Sequence, residues 1–150
     1  MSAFSVRRAG LENVDAWVAL RHQLWPELEI EQHRTEAEAS LNQPQTLVAF
    51  LCRDAEGKPV GLAEASVRSD YVNGCETSPV AFLEGIIVAP AARRRGVAAL
   101  LVAAVGDWAR SKGLTELASD AALDNIASHR MHAALGFEET ERVVYFRRSL

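Results

Sequence analysis

This sequence predicts an α/β fold in which a mixed central sheet is flanked by helices. Three observations predict it. Strand-like and helix-like segments follow one another in the order β α α β β β α β α β β, the pattern of a layered α/β domain. The chain has 150 residues, 49% hydrophobic and 24% charged, which is the make-up of a single domain, residues 1–150, able to bury a core without staples. Residues 80–98, VAFLEGIIVAPAARRRGVA, carry an apolar strand through Pro90 into a basic, glycine-containing turn that opens a helix.

Each element has its own local reason. FSVRRA reads as a first strand. Asn13 is placed to cap a helix running to about Leu24, with Val14, Trp17, Val18 and Leu24 on its apolar side, and Trp25-Pro26 breaks it. A polar helix from roughly Ile30 to Leu41 ends before Pro44. LVAFLCR is a strand, DAEGKP a hairpin turn, and VGLAEASVR the returning strand. SDYVNGCETSP is a polar loop rich in turn formers. The apolar strand of residues 80–88 follows, then a helix from about Arg95 to Lys112 stopped by Gly113. LTELAS is a short strand, and Asn125 to Leu135 is a helix with Gly136 just past its end. Two last strand-like runs surround Glu141 and VVYFRR.

Composition excludes several classes of function. A net charge of −4 argues against nucleic acid as the main partner and suits a cationic ligand. No apolar stretch is long enough to span a bilayer, and MSAFSVRRAG lacks the apolar core of a signal peptide, so a cytoplasmic location is expected. Cys52 and Cys75 stand apart from other ligand types, so no metal site is expected and the thiols read as reduced.

The turn after the strand carries chemistry. Amides at a helix N-terminus lack intrahelical partners, the helix dipole favours an anion there, and glycine lets a phosphate approach the backbone. No Gly-Lys-Ser/Thr follows, and there is one glycine, so the turn is neither a Walker loop nor a dinucleotide fingerprint. The alternative reading of the three arginines is a solvated charge run. The spacing R-x-x-G-x-A from Arg93 to Ala98 resembles the coenzyme A pyrophosphate loop of the GNAT N-acetyltransferase superfamily. NIASHRMHAALGF, with Asn125, Ser128, His132, Gly136 and Phe137, resembles that family's second cofactor pattern. Many members have tyrosine at the place of His132, where it protonates the departing thiolate; histidine also donates a proton near neutral pH. Taken alone, Asn125 also reads as a plain helix cap. The resemblance implies the GNAT fold, acetyl-CoA as co-substrate, and cofactor contacts through Ile86, Ile87, Val88, Arg94, Arg95, Gly96, Val97, Ala98, Ala99 and Asn125. Gly85 fits a bulge that frees strand amides for the pantetheine arm.

A second resemblance is tighter and covers most of the chain. RHQLWPE, SDYVNGCETSPVAFLEGI, ASDAALDN and ETERVVYF are similar to the bacterial aminoglycoside 6'-N-acetyltransferases. It implies acetyl transfer to the 6'-amine of a polycationic antibiotic, giving resistance, and maps acceptor binding onto Trp25, Tyr71, Glu84, Asp120 and Glu141. The residues make sense of this. Glu84 is a carboxylate inside an apolar strand, costly unless it has a partner or reaches a cavity. Asp120 ends a short strand where a cleft would open. Together they supply negative potential for ammonium groups and accept the proton that an attacking amine must lose. The alternatives are an arginine-paired carboxylate at Glu84, a turn residue at Asp120, packing for Trp25 and Tyr71, and a solvated strand residue at Glu141.

The catalytic reading rests on Glu84, Asp120 and His132, with direct attack of the amine on the thioester and an oxyanion held by an amide near Ile87 or Val88. Two other functions fit the same residues: an acetyltransferase for a polyamine or another natural amine, and a non-catalytic acetyl-CoA sensor. Val143-Val144-Tyr145-Phe146 is strongly β-forming. As an edge strand it invites pairing with another chain, and the family resemblance implies a homodimer.

Overall fold

A computed structural model describes residues 3–150. The strands are β1 (Ser5–Arg8), β2 (Leu47–Arg53), β3 (Pro59–Arg68), β4 (Val80–Val88) and β5 (Leu117–Ser119). The helices are α1 (Val14–Leu24), α2 (Ile30–Ser40), α3 (Val97–Ser111) and α4 (Ile126–Ala134). The sheet runs in sequence order, β1-β2-β3-β4-β5. Its first four strands pair antiparallel, and β5 joins β4 parallel. This is the mixed sheet that the sequence predicts.

Alternation along the strands divides the sheet into two buried faces. Val48, Cys52, Ala63, Ala65, Ala81 and Leu83 pack beneath α3, which buries Val97, Leu101 and Val105 against them. Their intervening neighbours Ala49, Leu51 and Leu62 meet Trp17, Val18 and Leu20 of α1 and Ala37 of α2. Each fully buried Leu or Val side chain contributes roughly 1.5–3 kcal/mol by leaving water. Cys52 and Cys75 are free thiols, and burial pushes both above the ordinary thiol range.

The apolar side of α1 differs from the sequence pattern in one respect. Arg21 is buried on that face together with Trp17, Val18 and Leu20. Its Nε lies 2.8 Å from Glu64 Oε2 on β3, and its Nη1 lies 2.9 Å from Glu36 Oε2 on α2. Trp17 Nε1 donates to the same Glu64 oxygen at 2.6 Å. Burial pushes the Glu64 carboxyl above the usual range, against the pull of Arg21 and Trp17. Burial also works against the charge of Glu36, yet hydrogen bonds from Arg21 and Gln32 hold its carboxyl below that range. One guanidinium thus ties both N-terminal helices to the sheet.

Two boundaries correct the sequence reading. The third long helix starts at Val97 rather than Arg95, because Arg94 (φ 61) and Gly96 (φ 87) take left-handed backbone. The two strands expected around Glu141 and over VVYFRR do not form: residues 137–150 pair with no strand of this chain. Their β propensity is unanswered within this chain: the sheet ends at β1 and β5, and the tail joins neither edge. Val144 is 75% and Phe146 92% exposed.

Replacing Arg21 with Met leaves the buried Glu64 carboxyl without its cationic partner. Breaking such a buried pair costs about 3–5 kcal/mol, and removing the second charge recovers much of it. Urea unfolding at neutral pH should therefore rank wild type above Arg21→Met/Glu64→Gln, and that double variant above Arg21→Met. A double variant no more stable than the single one refutes the pairing as the source of the loss.

Candidate functional site

The site is built where two strands part. Parallel pairing between β4 and β5 runs from Ala81↔Leu117 to Leu83↔Ser119 and stops. Beyond that rung β4 continues for five residues, Glu84–Val88, paired to β3 on one side only. Glu84 and Asp120 are the first residues past the last rung, where paired strands are about 4.8 Å apart. Gly85 pairs with Glu64 and Leu83 with Ala65, so Glu84 is the extra residue of a bulge, as the glycine suggested. Gly85 has a second reason to lack a side chain: a Cβ there would sit 2.6 Å from Trp25 Cζ2 and 2.7 Å from Leu24 Cδ2.

Glu84 is not a free carboxylate. Arg68 grips it with Nε at 3.1 Å from Oε1 and Nη2 at 2.8 Å from Oε2, and the Ser66 hydroxyl donates at 2.6 Å. The arginine-paired alternative is therefore realised, on an inner strand. The side chains remain 42% exposed for Arg68 and 34% for Glu84, so a ligand can reach the pair. The Arg68 guanidinium lies 3.4 Å from the Phe82 ring centroid. Asp120 is exposed and bonds to no described residue.

A cleft of about 310 Å³ opens between the two N-terminal helices and β3–β4, lined among others by Trp17, Arg21, Trp25, Glu36, Glu64 and Glu84. Trp25 and Glu84 are thus brought together. The Trp25 ring lies under the Arg21 guanidinium at 5.0 Å, and its carbonyl accepts from His33 Nε2 at 3.0 Å. Sequence reasoning missed Arg21, Glu64 and Arg68. Glu64 carries the same signal that marks Glu84, a carboxylate inside an apolar strand.

The basic turn lies at the far end of β4. A single helical turn, Pro90–Ala92, buries Ala92, and Arg93 Nε donates to the Val88 carbonyl at 3.0 Å. Arg95 stacks over Phe4 at 4.9 Å, and Arg94 is exposed. The first helical bond of α3 runs from the Leu100 amide to the Gly96 carbonyl at 3.1 Å, which leaves the amides of Val97, Ala98 and Ala99 outside the ladder. Turn amides, helix dipole and an open strand edge at Ile86–Val88 therefore lie along one path. They fit an extended ligand with a diphosphate at one end.

On α4, Asn125 Oδ1 accepts from the Ser128 amide at 3.2 Å, so the capping reading holds for this residue. His132 is half-buried. Its Nδ1 is 2.7 Å from the Ser128 carbonyl, its Nε2 is 2.8 Å from Ser119 Oγ, and the Phe137 ring meets it edge-on at 5.2 Å.

Tyr71 (69% exposed) and Glu141 do not line the cleft. Tyr71 stands on the loop of residues 69–79, which is fastened by Glu116, a residue the sequence did not single out. The Glu116 carboxylate accepts from the Thr77 amide at 2.7 Å, the Thr77 hydroxyl at 2.5 Å and the Glu76 amide at 2.9 Å. These bonds, the Thr77 hydroxyl first, hold it below the usual carboxylate range. Thr140 packs against Gly74, which lays the tail carrying Glu141 along the same loop. Glu139 and Arg142 form an ion pair on that tail.

Comparison with known proteins places this geometry. A family model described as the acetyltransferase (GNAT) family matches residues 15–137. An aminoglycoside N(6')-acetyltransferase type 1 of Serratia marcescens is 54% identical over 139 residues, 93% of this chain and 94% of that protein. The one from Acinetobacter baumannii is 51% identical, over 89% of this chain and 90% of that protein. The structure of AAC(6')-Iy with the bisubstrate analogue CoA-S-monomethyl-acetylneamine superposes with a TM-score of 0.93 at 46% identity, covering 99% of this chain and all of that one. AAC(6')-Ih from Acinetobacter baumannii also gives 0.93 at 46%, covering 98% and 99%.

The Glu116 anchor has a direct test. Glu116→Ala removes the acceptor of three donors on a loop that has few other bonds. Chymotryptic cleavage after Tyr71 should become several-fold faster while the thermal midpoint moves by only a few degrees, as for a local opening. Unchanged cleavage at Tyr71 rules the anchor out.

Proposed function

This chain belongs to the acetyltransferase (GNAT) family, and we propose that it is an aminoglycoside 6'-N-acetyltransferase. It transfers the acetyl group of acetyl-CoA to the 6'-amine of an aminoglycoside. The product amide is neutral, so the drug loses a cationic contact, and resistance follows. The observation that carries the reading is the parting of β4 and β5 after the Leu83–Ser119 rung. It leaves an open strand edge that runs from the two carboxylates to the basic glycine turn, and such an edge suits a thioester cofactor with a diphosphate at one end.

The residues divide the work. The amides of Arg94 to Ala99 receive the diphosphate of acetyl-CoA, with Arg94 and Arg95 flanking, and Asn125, the cap of α4, adds a further cofactor contact. Ile86, Ile87 and Val88 offer backbone groups to the pantetheine arm. Trp25, Tyr71, Glu84, Asp120 and Glu141 receive the aminosugar. A neutral amine attacks the thioester carbonyl, and an amide near Ile87 or Val88 faces the charge that develops on oxygen. Asp120, which no described cation neutralises, is open to accept the proton; Glu84 shares its charge with Arg68 until a substrate ammonium competes for it. The whole of residues 1–150 acts as one domain, in the cytoplasm that supplies acetyl-CoA.

The exposed tail supports a homodimer. Val143, Val144, Tyr145 and Phe146 are all solvent-exposed, an apolar β-forming run that joins no strand of its own chain. A second copy supplies that strand, and by the contact of Thr140 with Gly74 the interface lies beside the acceptor loop.

Turnover of acetyl-CoA should be seen with kanamycin and be far weaker with spermidine or no acceptor. Glu84→Ala and Asp120→Ala should each lower kcat/KM for kanamycin by on the order of 2–5 kcal/mol, with acetyl-CoA affinity little changed. Preference for spermidine would reassign the acceptor; wild-type kinetics in both variants would remove the carboxylates from the site.

Assembly is tested separately. Sedimentation equilibrium at micromolar concentration should give a dimer for the full chain and a monomer for a chain ending at Glu141. A monomeric full chain defeats the dimer, and a truncated chain that stays a folded dimer defeats the role of this tail.

A further inference from the structure

His132, placed by the sequence as the acid of this site, has both ring nitrogens engaged by the protein. A carbonyl oxygen only accepts, so at 2.7 Å from the Ser128 carbonyl it is Nδ1 that carries a proton. Nε2 is met by Ser119 Oγ at 2.8 Å. The same hydroxyl lies 3.3 Å from the Leu83 carbonyl on β4. Ser119 is the last residue of β5 and half of the last rung, so its hydroxyl stands where the two strands part, with the imidazole behind it. The Phe137 ring on one side and the Ser128 contacts on the other fix the imidazole plane.

We propose that Ser119 is the residue that protonates the departing coenzyme A thiolate, and that His132 acts through it as a positioning residue and proton source. This rests on the acetyltransferase reading above. When the carbon–sulfur bond breaks, its electron pair goes to sulfur. Sulfur takes the Ser119 hydroxyl proton as Ser119 Oγ takes the Nε2 proton of the imidazolium. His132 is left neutral with Nδ1–H still held by the Ser128 carbonyl, and regains its proton from solvent. No other reactant is consumed. A hydroxyl alone is a weak acid; the imidazolium one bond behind it makes the transfer feasible, because no alkoxide accumulates. The tyrosine that many family members carry at the place of His132 would do in one group what two groups do here.

The test uses the full chain with acetyl-CoA and kanamycin. Ser119→Ala should lower kcat about 100-fold, within the usual range for a general acid, with both KM values and the melting midpoint near wild type. Ser119→Thr keeps a hydroxyl and should restore most of kcat. His132→Gln should cost a similar factor, and adding it to Ser119→Ala should cost little more, since the two act as a unit. Wild-type kcat in Ser119→Ala overturns the proposal. So does failure of threonine to rescue, or costs that multiply in the double variant. A wild-type enzyme that turns over with no amine at all overturns the acetyltransferase reading, and this proposal with it.

Discussion

The structure depends on one constraint: β5 holds β4 for three residues and then lets go. β4 is nine residues long, so more than half of it has a partner on one edge only. An unpaired strand edge in a protein interior is costly. Here it is tolerated because the open stretch is not interior: Glu84 is exposed and residues 85–88 are half-buried, so water reaches the free edge, while pairing to β3 keeps the strand in the sheet. The opening does not unravel the sheet, and its free amides stay available to a ligand. The bulge at Glu84 falls at this place and turns a carboxylate out of an otherwise apolar strand.

The carboxylates around the opening form a graded series. Glu64 is deepest, compensated by Arg21 and Trp17, and serves to hold the helices to the sheet. Glu84 is intermediate, with Arg68 and Ser66 on it but partly open to solvent. Asp120 is exposed and unpaired among the described residues. A polycationic ligand entering from solvent meets the uncompensated charge first. Nearer the cleft, an ammonium competes with the guanidinium of Arg68 for Glu84. A carboxylate that is paired but still partly solvated carries little desolvation cost in the empty protein and remains available for exchange.

The two segments that carry Tyr71 and Glu141 are held differently. The loop with Tyr71 has no regular structure, and most of its bonds to the rest of the chain go to one carboxylate, Glu116, which sits two residues ahead of the middle of β5. The tail of residues 138–150 has no buried residue, and it touches the same loop through Thr140 and Gly74. A helix nucleus or a strand rung is stable through many small terms. These two segments rest on a few contacts each, so they are the parts of the site that a partner surface or a ligand orders most readily.

The sequence by itself determined the layer order, four of the helices and five of the strands. It also determined the basic glycine turn ahead of α3, the cap at Asn125 and the special status of Glu84. Each is written in local terms: apolar periodicity, a cap residue, a glycine with positive φ, a charge in an apolar run. Glu64 was legible by the same rule and was passed over. Tertiary structure alone decided the partners. Arg68 reaches Glu84 across 16 residues, Trp17 reaches Glu64 across 47, and Glu116 reaches Thr77 across 39. It also decided that His132 touches a serine rather than the open cleft, and that VVYFRR, for all its β propensity, finds no edge within its own chain. Propensity is a property of neighbours along the chain, whereas a hydrogen bond across a sheet needs a second strand at the right distance, and only the folded arrangement says whether one is there.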